Sequence, residues 1–331
     1  MKNNMDKTED FILKPRGNYD FRPQEKLVYD TIIIGTGIAG FSAAMYAARL
    51  GLNVLVIGEM NGGKITLTES VENYPGFVSI NGLKLAELIE NHARDYDIDI
   101  LTDIVEKISK KKNNLYAVST AKKMFTGKTL IIATGTIEKK LNIPGEKEFT
   151  GNGVSYCAIC DATMTKNKIV AVVGGGDSAV KEANLLAKYA KQVYIINNEP
   201  KLHAESRHIN SLEDNVRKNK IKVFNSANIN SINGKSSVEN ITLVKNKQTK
   251  KLPVDWVFIY IGQMPKIIGK EIGIKTNNKN EIMIDVNCET NIRGVYAAGD
   301  VTSTSWKQAI IAAAQGVTAA FNAYNYLTKK E

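Results

Sequence analysis

The stretch VYDTIIIGTGIAGFSAAMYAARLGLNVLVIGE, residues 28–59, predicts the fold of the chain around it. It places Gly35, Gly37 and Gly40 as G-x-G-x-x-G between an Ile-rich strand and a helix of small residues. In this context the glycines allow a tight turn, a close approach of the backbone to a pyrophosphate, and close packing of helix on strand. A second strand ends near Glu59, at the spacing expected for an acid that binds a ribose hydroxyl. We interpret the stretch as a nucleotide-binding β-α-β unit, in preference to a glycine-rich structural turn or a membrane span, which the glycines interrupt.

The same pattern recurs in KIVAVVGGGDSAVKEANLLAKYAKQVYIINNE, residues 168–199. Gly174, Gly176 and Ala179 form G-x-G-x-x-A at the start of this second strand-helix-strand unit. Two such units in one chain indicate two dinucleotide modules. The expected fold class is therefore α/β, with two Rossmann-like dinucleotide-binding domains.

A pair of cysteines precedes the second unit, in GVSYCAICD at residues 153–161. The C-x-x-C spacing lets Cys157 and Cys160 close a small ring reversibly, which favours a redox-active disulfide. The alternatives are half of a metal site and two incidental thiols. A zinc site needs about four ligands, yet the other cysteine, Cys288, is far downstream and the three histidines show no partner spacing. We therefore expect no metal.

Composition limits the classes of function. A chain of 331 residues with 43% hydrophobic and 24% charged residues is typical of a globular protein, and this length predicts about two domains. Three cysteines indicate a reducing compartment, so we expect a cytoplasmic protein. The net charge of +10 comes from short lysine clusters with acids between them, and aromatic residues are few. This pattern favours a solvated surface over a nucleic-acid groove, and neither nucleic acid nor membrane is an expected partner.

The rest of the chain fits the same fold class. Residues 1–25 are polar and lack the apolar core of a signal peptide, so we expect a cytoplasmic extension. We predict a helix over 82–96, a β-meander over 98–125, and short strands alternating with turns over 207–255. Residues 290–327 predict a buried strand that ends at an acid, followed by a loop and a long helix of small residues.

The motifs GTGIAG, VENYPG, ATG, CAICD, GGGDSA and GVYAAGD occur in this order between residues 28 and 327. In this combination the chain resembles the low-molecular-weight thioredoxin reductases, which are FAD-dependent disulfide reductases. The resemblance implies an FAD-binding domain formed by 26–141 and 263–331. A nucleotide-binding domain at 142–262, which carries the C-x-x-C, would be inserted in it. It also implies a homodimer, and a rotation of the domains that moves the disulfide between flavin and protein substrate.

The resemblance also implies roles for individual residues. The first three glycines would hold the FAD pyrophosphate, Glu59 the adenosine ribose, and Asp300 the ribityl hydroxyls. Backbone amides at the start of the last helix would stabilise negative charge on the reduced flavin. The remaining residues implied for the FAD site are Gly63, Asn73, Gly299, Lys307, Gln308 and Ala309.

The cysteines receive separate roles from the same resemblance. Cys160 would accept electrons from the flavin, and Cys157 would attack the disulfide of the partner as a thiolate. Asp161 is the candidate acid that returns a proton to the leaving thiol, with a helix cap as the alternative. The implied partner is thioredoxin or a thioredoxin-like protein.

The sequence departs from the family where electrons would enter. Members that use NADPH carry HRRxxxR after the second strand of the second module, because arginines bind the 2′-phosphate bidentately. This chain has Asn197, Asn198, Glu199 and His203 in those places. Glu199 would bond a ribose 2′-hydroxyl and repel a 2′-phosphate, which favours NADH over NADPH. Relatives without these arginines take electrons from ferredoxin or a reduced deazaflavin, and a +10 chain suits an acidic ferredoxin.

A second departure is Lys64, where the family usually has Gln, in a loop expected to contact FAD. Two other functions share the same features. One is a flavin oxidase or peroxiredoxin reductase with the same core. The other is a non-catalytic protein that binds nucleic acid through its charge, against which the intact C-x-x-C-Asp and FAD signatures argue.

Overall fold

The computed structural model describes residues 28–329, and the extension predicted for residues 1–25 lies outside them. The strands are β1 Tyr29–Ile34, β2 Val54–Gly58, β3 Ile98–Thr102, β4 Val105–Lys110, β5 Tyr116–Thr120, β6 Met124–Ile132, β7 Thr136–Glu138, β8 Val154–Ser155, β9 Ile169–Val173, β10 Gln192–Ile196, β11 Ile221–Phe224, β12 Ala227–Gly234, β13 Val238–Lys245, β14 Gln248–Pro253, β15 Trp256–Ile259, β16 Gln263–Pro265 and β17 Val295–Ala297. The α-helices are α1 Ile38–Arg49, α2 Gly82–Arg94, α3 Ala158–Asp161, α4 Asp177–Leu186, α5 Ser206–Arg217 and α6 Ala309–Thr328.

The chain forms two compact units. One consists of residues 28–136 and 265–329, and the other of Ile137–Met264. The first unit is therefore discontinuous in sequence, and the second is inserted in it. The domain assignment that the resemblance implies, with its boundaries near residues 141 and 262, stays a prediction.

The first unit is built on a seven-stranded sheet in the order β3-β2-β1-β6-β5-β4, with β17 also paired to β6. Strand β1 pairs in parallel with β2 and β6. A central parallel strand is covered on both faces, which explains why every residue of YDTIII except Asp30 is buried. The meander predicted for this region is confirmed for β4, β5 and β6, which pair antiparallel, whereas β3 pairs in parallel with β2.

Helices α1 and α6 cover one face of this sheet, and both consist mainly of small residues. The reason is their close approach. A Cβ atom added at Gly316 of α6 would lie 2.2 Å from the backbone oxygen of Ala39 in α1. The strand, acid and long helix predicted for 290–327 are confirmed as β17, Asp300 and α6.

The second unit contains a five-stranded parallel sheet in the order β11-β10-β9-β15-β8 and a three-stranded antiparallel sheet, β12-β13-β14. Helix α4 packs on one face of the parallel sheet through Val180 and Ala183, which join the core of Val170, Val172 and Ile195. The three-stranded sheet covers the other face, where its apolar side chains join a second core. The α/β fold class with two Rossmann-like domains, the second inserted in the first, is confirmed.

One prediction about secondary structure was wrong. Residues 207–255 were expected to form only short strands, but they begin with helix α5. The helix is amphipathic: Ile209, Leu212 and Val216 recur at helical spacing, and Leu212 is 4% exposed. The other nine residues of the helix, SRHINSLEDNVR, are polar or charged and obscure this period in the sequence. None of the helices of the described residues is long and apolar enough to cross a membrane.

Candidate functional site

The first glycine turn lies between β1 and α1 and has the close contacts that only glycine permits. Gly35 has φ +121°, and a Cβ there would lie 2.1 Å from the backbone oxygen of Ala133. A Cβ at Gly40 would lie 1.9 Å from the backbone oxygen of Gly35. At Gly37, by contrast, the nearest atom to an added Cβ is 3.9 Å away. The turn is thus tight where helix and strand meet and open at its middle glycine.

The open glycine leaves space at the position where the sequence predicts a pyrophosphate. Gly37 precedes α1 and has no side chain to cap it, so the first amides of the helix can serve a ligand. The loop 62–63 lies alongside: Gly37 and Gly62 form a parallel bridge, and Gly62 donates its amide to Thr36 at 2.8 Å. A Cβ at Gly63 would lie 2.9 Å from the Cα of Gly37. The geometry and the donors fit the diphosphate of FAD.

Glu59, predicted to bind the adenosine ribose, follows β2 and forms an ion pair with Lys266. Both side chains are partly exposed. Burial lowers the pKa of Lys266. Lys266 could not be predicted as a partner, because it lies more than 200 residues from Glu59 and beside no recognised motif.

Asp300 lies in a short 3₁₀ turn, Gly299–Val301, that follows β17. Gly299 has φ +78°, and a Cβ there would lie 3.0 Å from the Cβ of Ala39, so this turn packs against the start of α1. Burial raises the pKa of the Asp300 carboxyl, and the positive charges of Lys307 and Lys64 oppose that rise. The two basic residues singled out in the sequence therefore act on the carboxylate expected to bind the ribityl chain.

The loop that carries Asn73 is joined to the start of α6. The side-chain amide of Asn73 donates to Oε1 of Gln308 at 2.9 Å. Gln308 is the N-cap residue of α6, and Ala309 is its first residue. Lys307 precedes them and has its Nζ 3.1 Å from Glu281 and bonded to the backbone oxygen of Thr302. The structure thus brings the predicted residues Asn73, Lys307 and Gln308 together at one helix end.

Cys157 and Cys160 form a disulfide in the second unit. Cys157 is the N-cap residue of α3, and its Sγ accepts the amide of Cys160 at 3.3 Å. Cys160 is exposed. Asp161 is the last residue of α3 and makes no side-chain capping hydrogen bond to the 3₁₀ turn that follows, which disfavours the helix-cap alternative. A closed disulfide also disfavours half of a metal site.

The second glycine turn repeats the features of the first. Gly174 has φ +132°, and a Cβ there would lie 2.1 Å from the backbone oxygen of Tyr260. No atom lies within 4 Å of a Cβ added at Gly176, and Ala179 is fully buried against the turn. A cavity of about 770 Å³ opens here, lined by the three glycines 174–176 and by residues that include Asn198, Glu199, His203 and Tyr260.

The loop after β10 contains two features that were not predicted. Glu199 and His203 contact each other, with 2.7 Å between Oε2 and Nε2. Asn197 is 1% exposed, and its side-chain amide donates to the backbone oxygens of Glu199 and Lys201 at 3.0 and 2.9 Å. Asn197 therefore fixes this loop from inside, a role that the comparison with HRRxxxR did not reveal.

Asp177, Glu205 and His208 offer ligand atoms within 4.8 Å of one another. These carboxylates already have partners: Asp177 accepts the amide of Glu205 at 3.1 Å, and Glu205 pairs with Arg207 at 2.9 Å. We assign no metal to them.

Comparisons with known proteins agree with this geometry. Residues 29–316 match the family model described as pyridine nucleotide-disulphide oxidoreductase. The chain is 38% identical to the thioredoxin reductase of Ureaplasma parvum, over 91% of this chain and 98% of that protein. It is 39% identical to the thioredoxin reductase of Bacillus subtilis, over 92% and 96%.

A solved structure gives the same result. The crystal structure of T. acidophilum thioredoxin reductase superposes with a TM-score of 0.84 at 35% identity, covering 92% of this chain and all of that one. The chain belongs to the pyridine nucleotide-disulphide oxidoreductase family, among its low-molecular-weight thioredoxin reductases.

Proposed function

We propose that this protein is a thioredoxin reductase-like flavoenzyme that passes electrons from a reductant to thioredoxin or a similar protein disulfide. The observation that carries the proposal is the Cys157–Cys160 disulfide, which lies at the start of a short helix with Cys160 exposed. A disulfide that is exposed at Cys160 and half-buried at Cys157 is accessible to exchange with a partner. An oxidase would have no use for this disulfide, whereas a peroxiredoxin reductase would use it with a different protein partner.

FAD is the cofactor that fits the first unit, and when bound it supplies the electrons that reduce the disulfide. Gly35, Gly37 and Gly40 would hold its pyrophosphate through the turn and the helix amides. Glu59 would accept hydrogen bonds from the adenosine ribose, with Lys266 paired to the same carboxylate. Asp300 would bind the ribityl hydroxyls.

The exchange with the partner needs only residues of the second unit and balances without any other reagent. The Cys157 thiolate attacks one sulfur of the partner disulfide, which forms a mixed disulfide and releases the other partner sulfur as a thiolate. Asp161, as the acid, gives that thiolate a proton. The Cys160 thiol then loses its proton and attacks the Cys157 sulfur, which reforms the Cys157–Cys160 disulfide and releases the second partner sulfur, and that sulfur takes up the proton. The partner gains two electrons and two protons.

The electron donor is proposed from the charge of the second cavity. Glu199 and His203 occupy places where members that use NADPH have arginines, so a 2′-phosphate would meet a carboxylate and no guanidinium. We therefore propose NADH, reduced ferredoxin or a reduced deazaflavin as the donor, and not NADPH. A homodimer in the cytoplasm is the expected form of the enzyme.

The test is anaerobic reduction followed by transfer to a partner. The purified flavoprotein is mixed with NADPH, NADH, reduced ferredoxin or reduced deazaflavin, and flavin bleaching is followed. Thioredoxin is then added, and its dithiol is measured. We expect at least one donor other than NADPH to support transfer, and the Cys157→Ser and Cys160→Ser variants to lose it. When the same mixture is repeated in air, hydrogen peroxide as the main product, with no thioredoxin reduced, would contradict the proposal and favour an oxidase.

A further inference from the structure

The hydroxyl of Tyr260 makes a contact beside the disulfide that the proposed mechanism does not use. The backbone amide of Ala158 donates to this hydroxyl at 2.7 Å. Ala158 directly follows Cys157, is the first residue of α3, and is 1% exposed. A buried amide at this place needs an acceptor, because leaving it without one is unfavourable.

The backbone of Tyr260 is fixed by the second glycine turn. Its amide donates to the backbone oxygen of Val173 at 2.8 Å, at the end of the parallel sheet. Its own backbone oxygen packs against Gly174, where an added Cβ would lie 2.1 Å away. The tyrosine thus extends from a rigid strand end to the turn that carries both cysteines.

The hydroxyl stays protonated at physiological pH. Burial raises the pKa of Tyr260, and so do the negative charges of Glu182, Glu138 and Asp161, which together outweigh the lowering by the hydrogen bond from Ala158. A neutral hydroxyl accepts the Ala158 amide without placing a negative charge next to a cysteine thiolate. Its effect on the cysteines is therefore one of position and not of charge.

We propose that Tyr260 is a positioning residue for the redox pair: its bond to the Ala158 amide holds the first turn of α3 in the conformation that keeps the sulfurs of Cys157 and Cys160 joined. The inference rests on the proposed function of this disulfide. When the bond between the sulfurs is reduced, they separate to a non-bonded distance, and in this proposal the turn between them relaxes with them. A hydrogen bond that fixes the start of the turn opposes that relaxation and favours the disulfide.

The expected effect is a shift in an exchange equilibrium. With a reference dithiol, the protein disulfide gains two electrons and two protons and the reference becomes its cyclic disulfide. Loss of one hydrogen bond of typical net strength predicts a change of about two- to tenfold in the equilibrium constant. A tenfold change corresponds to about 30 mV for this two-electron couple.

The test compares the flavin-loaded wild type with Tyr260→Phe and Tyr156→Phe in dithiothreitol redox buffers. Samples are quenched in acid, alkylated, and analysed by mass spectrometry for the oxidation state of Cys157 and Cys160, a readout that does not depend on the flavin or on thioredoxin. Tyr156→Phe is the matched control, since Tyr156 is next to Cys157 but its hydroxyl donates to Glu146 at 2.7 Å. Flavin content and thermal unfolding are measured for all three proteins.

We expect Tyr260→Phe to be half reduced at a dithiol-to-disulfide ratio about two- to tenfold lower than the wild type, with Tyr156→Phe unchanged. Coincident curves for Tyr260→Phe and wild type would overturn the inference, and so would an equal shift in Tyr156→Phe. Loss of flavin or of cooperative unfolding in Tyr260→Phe would also overturn it, because the tyrosine would then be a general structural residue. A wild-type pair that does not exchange in any buffer would instead refute the proposed function.

Discussion

Nε2 of His203 lies 2.7 Å from Oε2 of Glu199 at the cavity of the second glycine turn. Both side chains are 56% exposed, so solvent screens their interaction and the contact contributes little to stability. Its importance in our proposal is for binding. The Glu199 carboxylate lies on the loop that Asn197 holds in place, and there it would offer an acceptor to a ribose hydroxyl.

The first prediction concerns the nucleotide. A missing arginine removes about 1.5–3 kcal/mol for each charged hydrogen bond to a 2′-phosphate, and each 1.4 kcal/mol is about tenfold in affinity. We therefore expect NADH to bleach the flavin at lower concentration than NADPH. The double variant Glu199→Arg, His203→Arg should reverse this order. The measurement is stopped-flow flavin reduction under anaerobic conditions.

Glu213→Gln is a suitable control for that experiment, since it changes a carboxylate of α5 that does not line this cavity. It should leave the order of the two nucleotides unchanged. Fast reduction of the wild type by micromolar NADPH would contradict the prediction and would mean that another basic residue binds the phosphate.

The second prediction separates the two cysteines. If Cys160 is the residue that faces the flavin, Cys157→Ser retains the sulfur near the ring, and its thiolate is the electron-rich partner of a charge-transfer complex. We expect a long-wavelength absorbance band in Cys157→Ser and none in Cys160→Ser. The absorbance band is measured in spectra recorded while each variant is titrated with base. Identical spectra would leave the assignment of the two roles without support.

The third prediction uses Cys288 as an internal standard for thiol reactivity. It is 3% exposed, and burial together with the charge of Asp285 raises the pKa of its thiol to about 11. Because the thiolate is the reactive form, it should resist alkylation in the native protein. After reduction, iodoacetamide should label Cys157 and Cys160 under native conditions and Cys288 only in denaturant. Peptide mapping by mass spectrometry counts the labels, and native labelling of Cys288 would show that its surroundings open in solution.

The sequence predicted those parts of the molecule that depend on short-range patterns. Gly35 and Gly174 were predictable because a positive φ and a backbone contact near 2 Å require glycine at each turn. The C-x-x-C disulfide was predictable because its spacing is local. These signals needed no knowledge of how distant segments pack.

Contacts between distant segments could not be predicted from one sequence. Lys266 pairs with Glu59 only because the chain returns to the first unit after the insertion. The bond from Ala158 to Tyr260 spans 102 positions and depends on strand β15 lying beside β9 and β8. Helix α5 was missed for another reason, since its three apolar residues are spaced among nine polar or charged ones.

The last prediction concerns Asp300, where binding of the cofactor and stability of the empty protein oppose each other. Burial raises the pKa of this carboxyl in the folded state, against the effect of Lys307 and Lys64. The folded protein therefore holds the proton more tightly than the unfolded chain does. The free energy of unfolding falls as the pH rises from the pKa of Asp300 in the unfolded chain, about 3.9, through its pKa in the folded protein. The loss is complete above the folded pKa.

Asp300→Asn removes that ionisation, so the flavin-free variant should unfold at higher urea than flavin-free wild type at neutral pH. The difference should shrink as pH is lowered toward about 4. The same change removes a charged acceptor for ribityl hydroxyls, which predicts a loss of FAD affinity of about tenfold or more. Urea midpoints at the two pH values and fluorescence titration with FAD measure the two effects.

Lys307→Gln is the opposing control. Without this positive charge the pKa of Asp300 should rise further, and the flavin-free protein should lose stability at neutral pH. A flavin-free Asp300→Asn protein less stable than wild type at neutral pH would mean that the carboxylate has stabilising partners that outweigh its burial.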